Sequence, residues 1–199
     1  MGALRRAAAL AVAVVSIGVV RAVEAPLGRL GHDVVPVSQS IALELDPRQP
    51  SYTGSVDIVL EVRKPLRSFR FHAEALDLLD LTLTQTGSSS NPIRLKAEAK
   101  DDAQVEVAAE QEIPKGRHTL HIDFKNNFDT RANGLYRLKV QGTWYAFTQF
   151  EAIEAREAFP CWDEPAFKIP FRVTLTVPSA DAAISNTLAS CWTSSSGLR

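Results

Sequence analysis

T-Q-F-E-A-I-E-A-R-E-A-F-P-C-W-D-E-P-A-F-K, from Thr148 to Lys168, is preceded by the aromatic run W-Y-A-F (144–147) and followed by F-R-V-T-L-T-V (171–177). The run W-Y-A-F-T-Q-F-E is aromatic and β-favouring, which predicts a strand. In a strand, residues two apart share a face. Gln149 and Glu151 therefore point one way, and Thr148 and Phe150 the other. A carboxylate beside a carboxamide can accept hydrogen bonds from an ammonium group. If the strand ends at a cleft, Glu151 is placed to hold a free amine; otherwise the two residues are a solvated strand end.

Downstream, Glu151 to Phe159 predicts two helical turns, which Pro160 breaks. Glu154 and Arg156 on those turns read as solvated or salt-bridged. The adjacent carboxylates of Asp163-Glu164-Pro165 read as a structural turn, with backbone amides or Arg156 as partners. Phe171, Val173, Leu175 and Val177 alternate and are expected to face inward, and Pro178 closes that strand.

Upstream, Asn133-Gly134 is a turn signal. It opens a hairpin of Leu135–Val140 with Trp144–Phe150 around Gln141-Gly142. Further back, Pro26 to Val35 reads as coil, Ile41–Leu45 as a strand and Ser51–Gly54 as a turn. Val56, Ile58, Leu60 and Val62 share a strand face, as do Phe69 and Phe71; Leu79, Leu81 and Leu83 argue a further strand, although Leu76, Leu79 and Leu83 also fit a helix. Gly87 to Pro92 is a loop within a hairpin. Lys100-Asp101-Asp102 and Pro114-Lys115-Gly116 are turns, and Leu120, Ile122 and Phe124 share another face. Some ten short alternating segments with no long amphipathic helix give an all-β fold, a mostly antiparallel β-sandwich.

The motifs N-G-L-Y-R (133–137), T-Q-F-E (148–151), A-R-E-A-F-P-C-W-D-E-P-A-F-K (155–168) and I-S-N (184–186) resemble, in order and spacing, the zinc aminopeptidases of the aminopeptidase N type. The likeness weakens upstream but extends from about Val34. It implies the saddle-like N-terminal sheet domain of those enzymes. Gln149 would line the pocket for the first substrate side chain, and Glu151 would bind the substrate α-amino group. The partner implied is a peptide with a free N-terminus, together with a zinc-bearing catalytic domain. The family's zinc motif, H-E-x-x-H, is absent. None of His32, His72, His118 and His121 begins it, and His118 and His121 fall on opposite faces of one strand. His72, after a short apolar strand, reads as a structural hydrogen-bonding residue. The family's G-x-M-E-N loop is also absent, since Met1 is the only methionine. No catalytic residue, metal ligand or cofactor is therefore assigned to this chain, and zinc is expected in the full-length family enzyme. The rival reading is an exported, non-catalytic β-sandwich that binds peptides or a protein partner.

Hydrophobic content is 45% and charged content 23%, near the globular average. A net charge of −1 gives no reason to expect nucleic-acid or anionic-membrane binding. Arg5-Arg6 followed by the uncharged run Ala7 to Val20 reads as a signal peptide ending near Ala22. The run is too short to span a membrane comfortably. Export is thus expected, with residues 1–22 as signal and 23–199 as the β domain. That domain is expected to lack its final strands, and so to be marginally stable alone. In an exported protein Cys161 and Cys191 could pair; the resemblance instead implies a buried free thiol at Cys161.

Overall fold

A computed structural model describes residues 29–88, 91–187 and 189. The region read as a signal peptide, residues 1–22, lies outside the described residues, as does Cys191. Eleven strands follow in chain order: β1 (Val34–Glu44), β2 (Ser51–Val62), β3 (Leu66–His72), β4 (Asp77–Gln85), β5 (Ile93–Arg94), β6 (Lys96–Ala99), β7 (Gln104–Ile113), β8 (Gly116–Asn127), β9 (Gly134–Val140), β10 (Thr143–Gln149) and β11 (Phe171–Thr176). They form a six-stranded sheet in the order β11-β1-β2-β8-β4-β5, a three-stranded sheet β3-β7-β6, and the separate hairpin β9-β10. Every pairing is antiparallel except β1 with β11.

Period-2 alternation makes the core. Val56, Ile58, Leu60 and Val62 of β2 and Leu120, Ile122 and Phe124 of β8 are fully buried. Across strands, Val56 pairs with Ile122 and Ile58 with Leu120. Phe69, Phe71, Val105 and Val107 of the smaller sheet join the same apolar cluster. Such alternation hides one face of each sheet against the other and leaves the outer faces polar.

Four local expectations are corrected. Ser51–Gly54 is the start of β2, not a turn. Gly54 serves there for space: a Cβ would stand 2.7 Å from both Leu43 Cδ2 and Phe124 Cζ. Coil was expected through Val35, but β1 begins at Val34. Leu79 does not share the face of Leu81 and Leu83. The register slips between Leu78 and Asp80, making Leu79 the extra residue of a bulge, 65% exposed. The helical stretch after Glu151 shrinks to one 3-10 turn, Glu154–Glu157.

β11 corrects a fifth. Phe171, Val173 and Leu175 pair with Gln39, Ile41 and Leu43 of β1, so they lie on the core face of the sheet as expected. They are nonetheless exposed, Val173 at 56%, whereas its neighbour Ile41 is 2% exposed. The inner face thus runs on past its cover at this edge.

Candidate substrate-anchoring site

The β9–β10 hairpin carries the predicted pair to its end. Gln141 and Gly142 turn it with φ of +48° and +88°, the geometry of a tight two-residue connection. Gln149 is the last strand residue, paired with Gly134, and Glu151 opens the turn beyond it. Both are exposed, while Phe150 between them is half-buried edge-on against Phe159 at 5.5 Å.

Gly134 is the hinge of this arrangement. Its φ is +56°, and a Cβ there would lie 3.0 Å from Glu157 Cβ and 3.2 Å from the Glu154 carbonyl. Only glycine lets the start of β9 approach the 3-10 turn so closely. The chain just past Glu151 is thereby pressed against the strand that pairs with Gln149.

The segment after the pair is tied down carbonyl by carbonyl. Asn126 Nδ2 donates to Glu157 O at 2.7 Å, and the Tyr52 hydroxyl to Ala158 O at 2.8 Å. Gln39 Nε2 donates to Pro160 O at 2.8 Å, and the His72 amide to Cys161 O at 2.8 Å. The donors come from β8, β2, β1 and β3, so four strands hold one short stretch. Gln39, Tyr52 and Asn126 carry no motif and fall outside the strands read from alternation, so no sequence signal marked them.

Arg156 is buried, not solvated, and bonded to Asp163 at 3.0 Å. Its guanidinium also donates to the carbonyls of Asp163 and Asp102. The Asp163-Glu164 pair is thus structural: Asp163 holds Arg156, and Glu164 accepts the Leu30 amide. Burial, followed by the Arg156 charge, pushes His72 down to about 4. The neutral imidazole accepts the Asp163 amide through Nδ1. Burial, seconded by the Asp163 charge, pushes the Cys161 thiol well above its usual range, which makes it an inert core residue. Glu157 is raised by burial and by the neighbouring carboxylates Glu74, Asp129 and Glu154.

The profile of the peptidase M1 N-terminal domain matches residues 35–194. The chain belongs to the M1 aminopeptidase family, as its N-terminal domain. Aminopeptidase M1-C of Oryza sativa subsp. japonica is 33% identical over 169 residues, covering 83% of this chain and 19% of that protein. Aminopeptidase M1-A of the same plant is 36% identical over 171 residues, covering 79% and 19%. Aminopeptidase N of Acetobacter pasteurianus is 32% identical over 167 residues, covering 80% and 45%. The M1 domain thus spans about a fifth of its plant relatives and under half of the bacterial one.

A metal ion does not fit the donors at hand. Among the described residues no three His, Cys, Asp or Glu side chains converge on one point. The His72 Nδ1 faces a backbone amide. His121 spreads its two nitrogens to different carboxylates, Nδ1 to Asp57 at 2.7 Å and Nε2 to Asp123 at 3.3 Å. That is a chain of ion pairs on an exposed sheet face, where a metal centre would need the donors gathered round one ion. No helix among the described residues is long and apolar enough to cross a membrane.

Proposed function

We propose that this M1 domain is the substrate-anchoring part of an exported zinc aminopeptidase. In this reading Glu151 holds the α-ammonium of an unblocked peptide, and Gln149 lines the pocket for the first side chain. The observation that supports it is the exposure of both side chains at the end of a braced hairpin, with Phe150 turned inward between them. An ammonium offers three donors, and a carboxylate accepts them as charge-assisted bonds. A carboxamide beside it adds an acceptor of fixed direction. An acetylated N-terminus has no charge and a single N–H donor, so the site selects free chain ends. The metal and the general base belong to residues other than those described. Export rests on the basic start and uncharged run of residues 1–22, and on cleavage near Ala22.

The test is a titration of the 199-residue chain with a Leu-Gly-Gly amide and its N-acetyl form, followed by amide shifts. The free amine is expected to bind about 3- to 10-fold more tightly, roughly 1 kcal/mol for an ion pair at an exposed site. Glu151→Gln removes that preference. Equal affinity for both peptides would sink the anchoring role. Amino-terminal sequencing of the secreted protein reads the export claim separately.

A further inference from the structure

The β9–β10 hairpin pairs with neither of the other sheets, so its tilt is set by other contacts. A two-stranded hairpin on its own is marginally stable in water and needs a body to pack against. At its base, Gly134 meets the 3-10 turn and Phe150 meets Phe159. Further along, the Asp129 amide donates to Leu135 O and the Arg137 amide to Asp129 O, both at 3.0 Å. Among the described residues, every side-chain hydrogen bond from the hairpin to the rest of the domain comes from Arg137. Its Nη1 donates to Pro47 O at 3.0 Å and to Gln49 O at 2.6 Å. Both acceptors lie between β1 and β2, in a turn that is itself fixed. Arg48 donates to Asp46 Oδ1 through its amide at 3.0 Å and its Nε at 2.7 Å, and the Phe128 amide donates to Pro50 O at 3.0 Å. The Arg137 guanidinium also lies 4.4 Å over the ring of Trp144, which stands diagonal to it on β10. A planar, permanently charged group can stack on a ring and donate charge-assisted bonds at once. Arg137 thus joins both strands of the hairpin to the six-stranded sheet.

We propose that Arg137 is a positioning residue: its clamp on the β1–β2 turn sets the direction in which Gln149, on the same hairpin, points. The inference rests on the anchoring role proposed above and divides that role in two. Gln149 is carried by the hairpin. Glu151 belongs to the segment beyond it, whose carbonyls are held by β1, β2, β3 and β8. Releasing the clamp therefore disturbs the pocket for the first side chain and leaves the amine anchor in place.

A double-mutant cycle with two peptide ratios tests this in the 199-residue chain. The preference for a Leu-Gly-Gly amide over a Gly-Gly-Gly amide reads Gln149. The preference for the Leu-Gly-Gly amide over its N-acetyl form reads Glu151. Arg137→Ala is expected to lower the first ratio by about 3-fold or more, a modest share of what a well-formed pocket discriminates. It leaves the second within about 2-fold, as expected of independent sites. Arg137→Lys, which keeps a charge and its donors, restores most of the first ratio. In a Gln149→Ala background Arg137→Ala adds no further loss. Additive losses overturn the proposal, as does an equal fall in both ratios, which a merely destabilised domain would give. Trp144→Leu removes the stack and leaves the donors; it gives a smaller loss in the same ratio, and serves if Arg137→Ala does not fold. Residual dipolar couplings of the hairpin amides, taken without peptide, read the clamp separately. Arg137→Ala is expected to tilt the hairpin against the six-stranded sheet beyond about 10°, the tolerance of a working site. A native chain with neither preference sinks the anchoring reading and, with it, what Arg137 would position. A native chain with both preferences and an unmoved hairpin in Arg137→Ala sinks this proposal alone.

Discussion

Replacing Gly134 with alanine probes the close approach of β9 to the 3-10 turn beside the proposed anchor pair. The new residue must hold φ near +56°, which costs a residue with a Cβ about 1–2 kcal/mol. Its Cβ also meets Glu157 Cβ at 3.0 Å and the Glu154 carbonyl at 3.2 Å, so the 3-10 turn must give way by a few tenths of an ångström. Overpacking of that kind adds about 1–2 kcal/mol. The sum, about 2–4 kcal/mol, corresponds to a Tm lower by roughly 5–12 °C in a domain of this size. Two other glycines separate the contributions. Gly142 has φ of +88° with nothing within 4 Å of a built Cβ, so Gly142→Ala carries the conformational cost alone. Gly31 has open space and no positive φ, so Gly31→Ala is neutral or stabilising by under about 1 kcal/mol. Thermal unfolding by circular dichroism ranks the three. A Gly134→Ala loss no larger than that of Gly142→Ala would refute the reasoning that contact with the 3-10 turn matters there. Amine-dependent peptide binding by Gly134→Ala, measured well below its Tm, should weaken too, because Glu154 and Glu157 follow Glu151 directly.

Tyr52→Phe keeps the ring packed against Phe124 and Phe128 but leaves the buried Ala158 carbonyl without its 2.8 Å donor, and equilibrium urea unfolding should show a loss of about 1–3 kcal/mol. His72 supplies an acid sensitivity. Its folded pKa of about 4 lies below the ordinary histidine value, so the neutral form is favoured by folding. That contribution is fully present above about pH 6.5 and is lost as pH falls toward 4, by about 3 kcal/mol. His72→Asn keeps an acceptor for the Asp163 amide and does not titrate, so its stability profile between pH 7 and pH 4 should be flatter than that of the native protein. Parallel profiles would remove His72 as the source.

Much of this fold is written as alternation. The faces of β2, β3 and β8 could be read from Val56 to Val62, Phe69 to Phe71 and Leu120 to Phe124, because a strand buried on one side repeats every second residue. What alternation cannot show is how far the opposite layer reaches. Phe171, Val173 and Leu175 carry the signature of a core strand, yet their burial depends on a cover that the sequence of β11 does not encode. Leu79 fails for a different reason: one inserted residue flips the side chains on either side of it, and the leucine spacing is blind to that insertion. Gly54 misled because glycine marks a turn and a tight crossing alike. At the candidate site, Gln149 was legible through motif and alternation and Glu151 through its motif alone, since the strand stops at Gln149, and the hairpin turn was legible through Gln141-Gly142. The ties to Glu157, Ala158 and Pro160 were not, since each joins residues more than thirty positions apart and uses common polar side chains.

Those four ties set how the segment beyond Glu151 can move. Binding loops are usually drawn from the least stable parts of a protein, and they close over a ligand by local opening at small cost. Here, shifting residues 157–161 means parting contacts with β1, β2, β3 and β8 together, so this backbone opens only when the sandwich end does. Its slowest amides should exchange with solvent at the rate of global unfolding. In the anchoring role proposed above, such stiffness would act as a ruler's end stop. The length removed is the distance from a fixed backbone to the cutting point, and a stop that yielded by one residue's rise of about 3.4 Å would miscount.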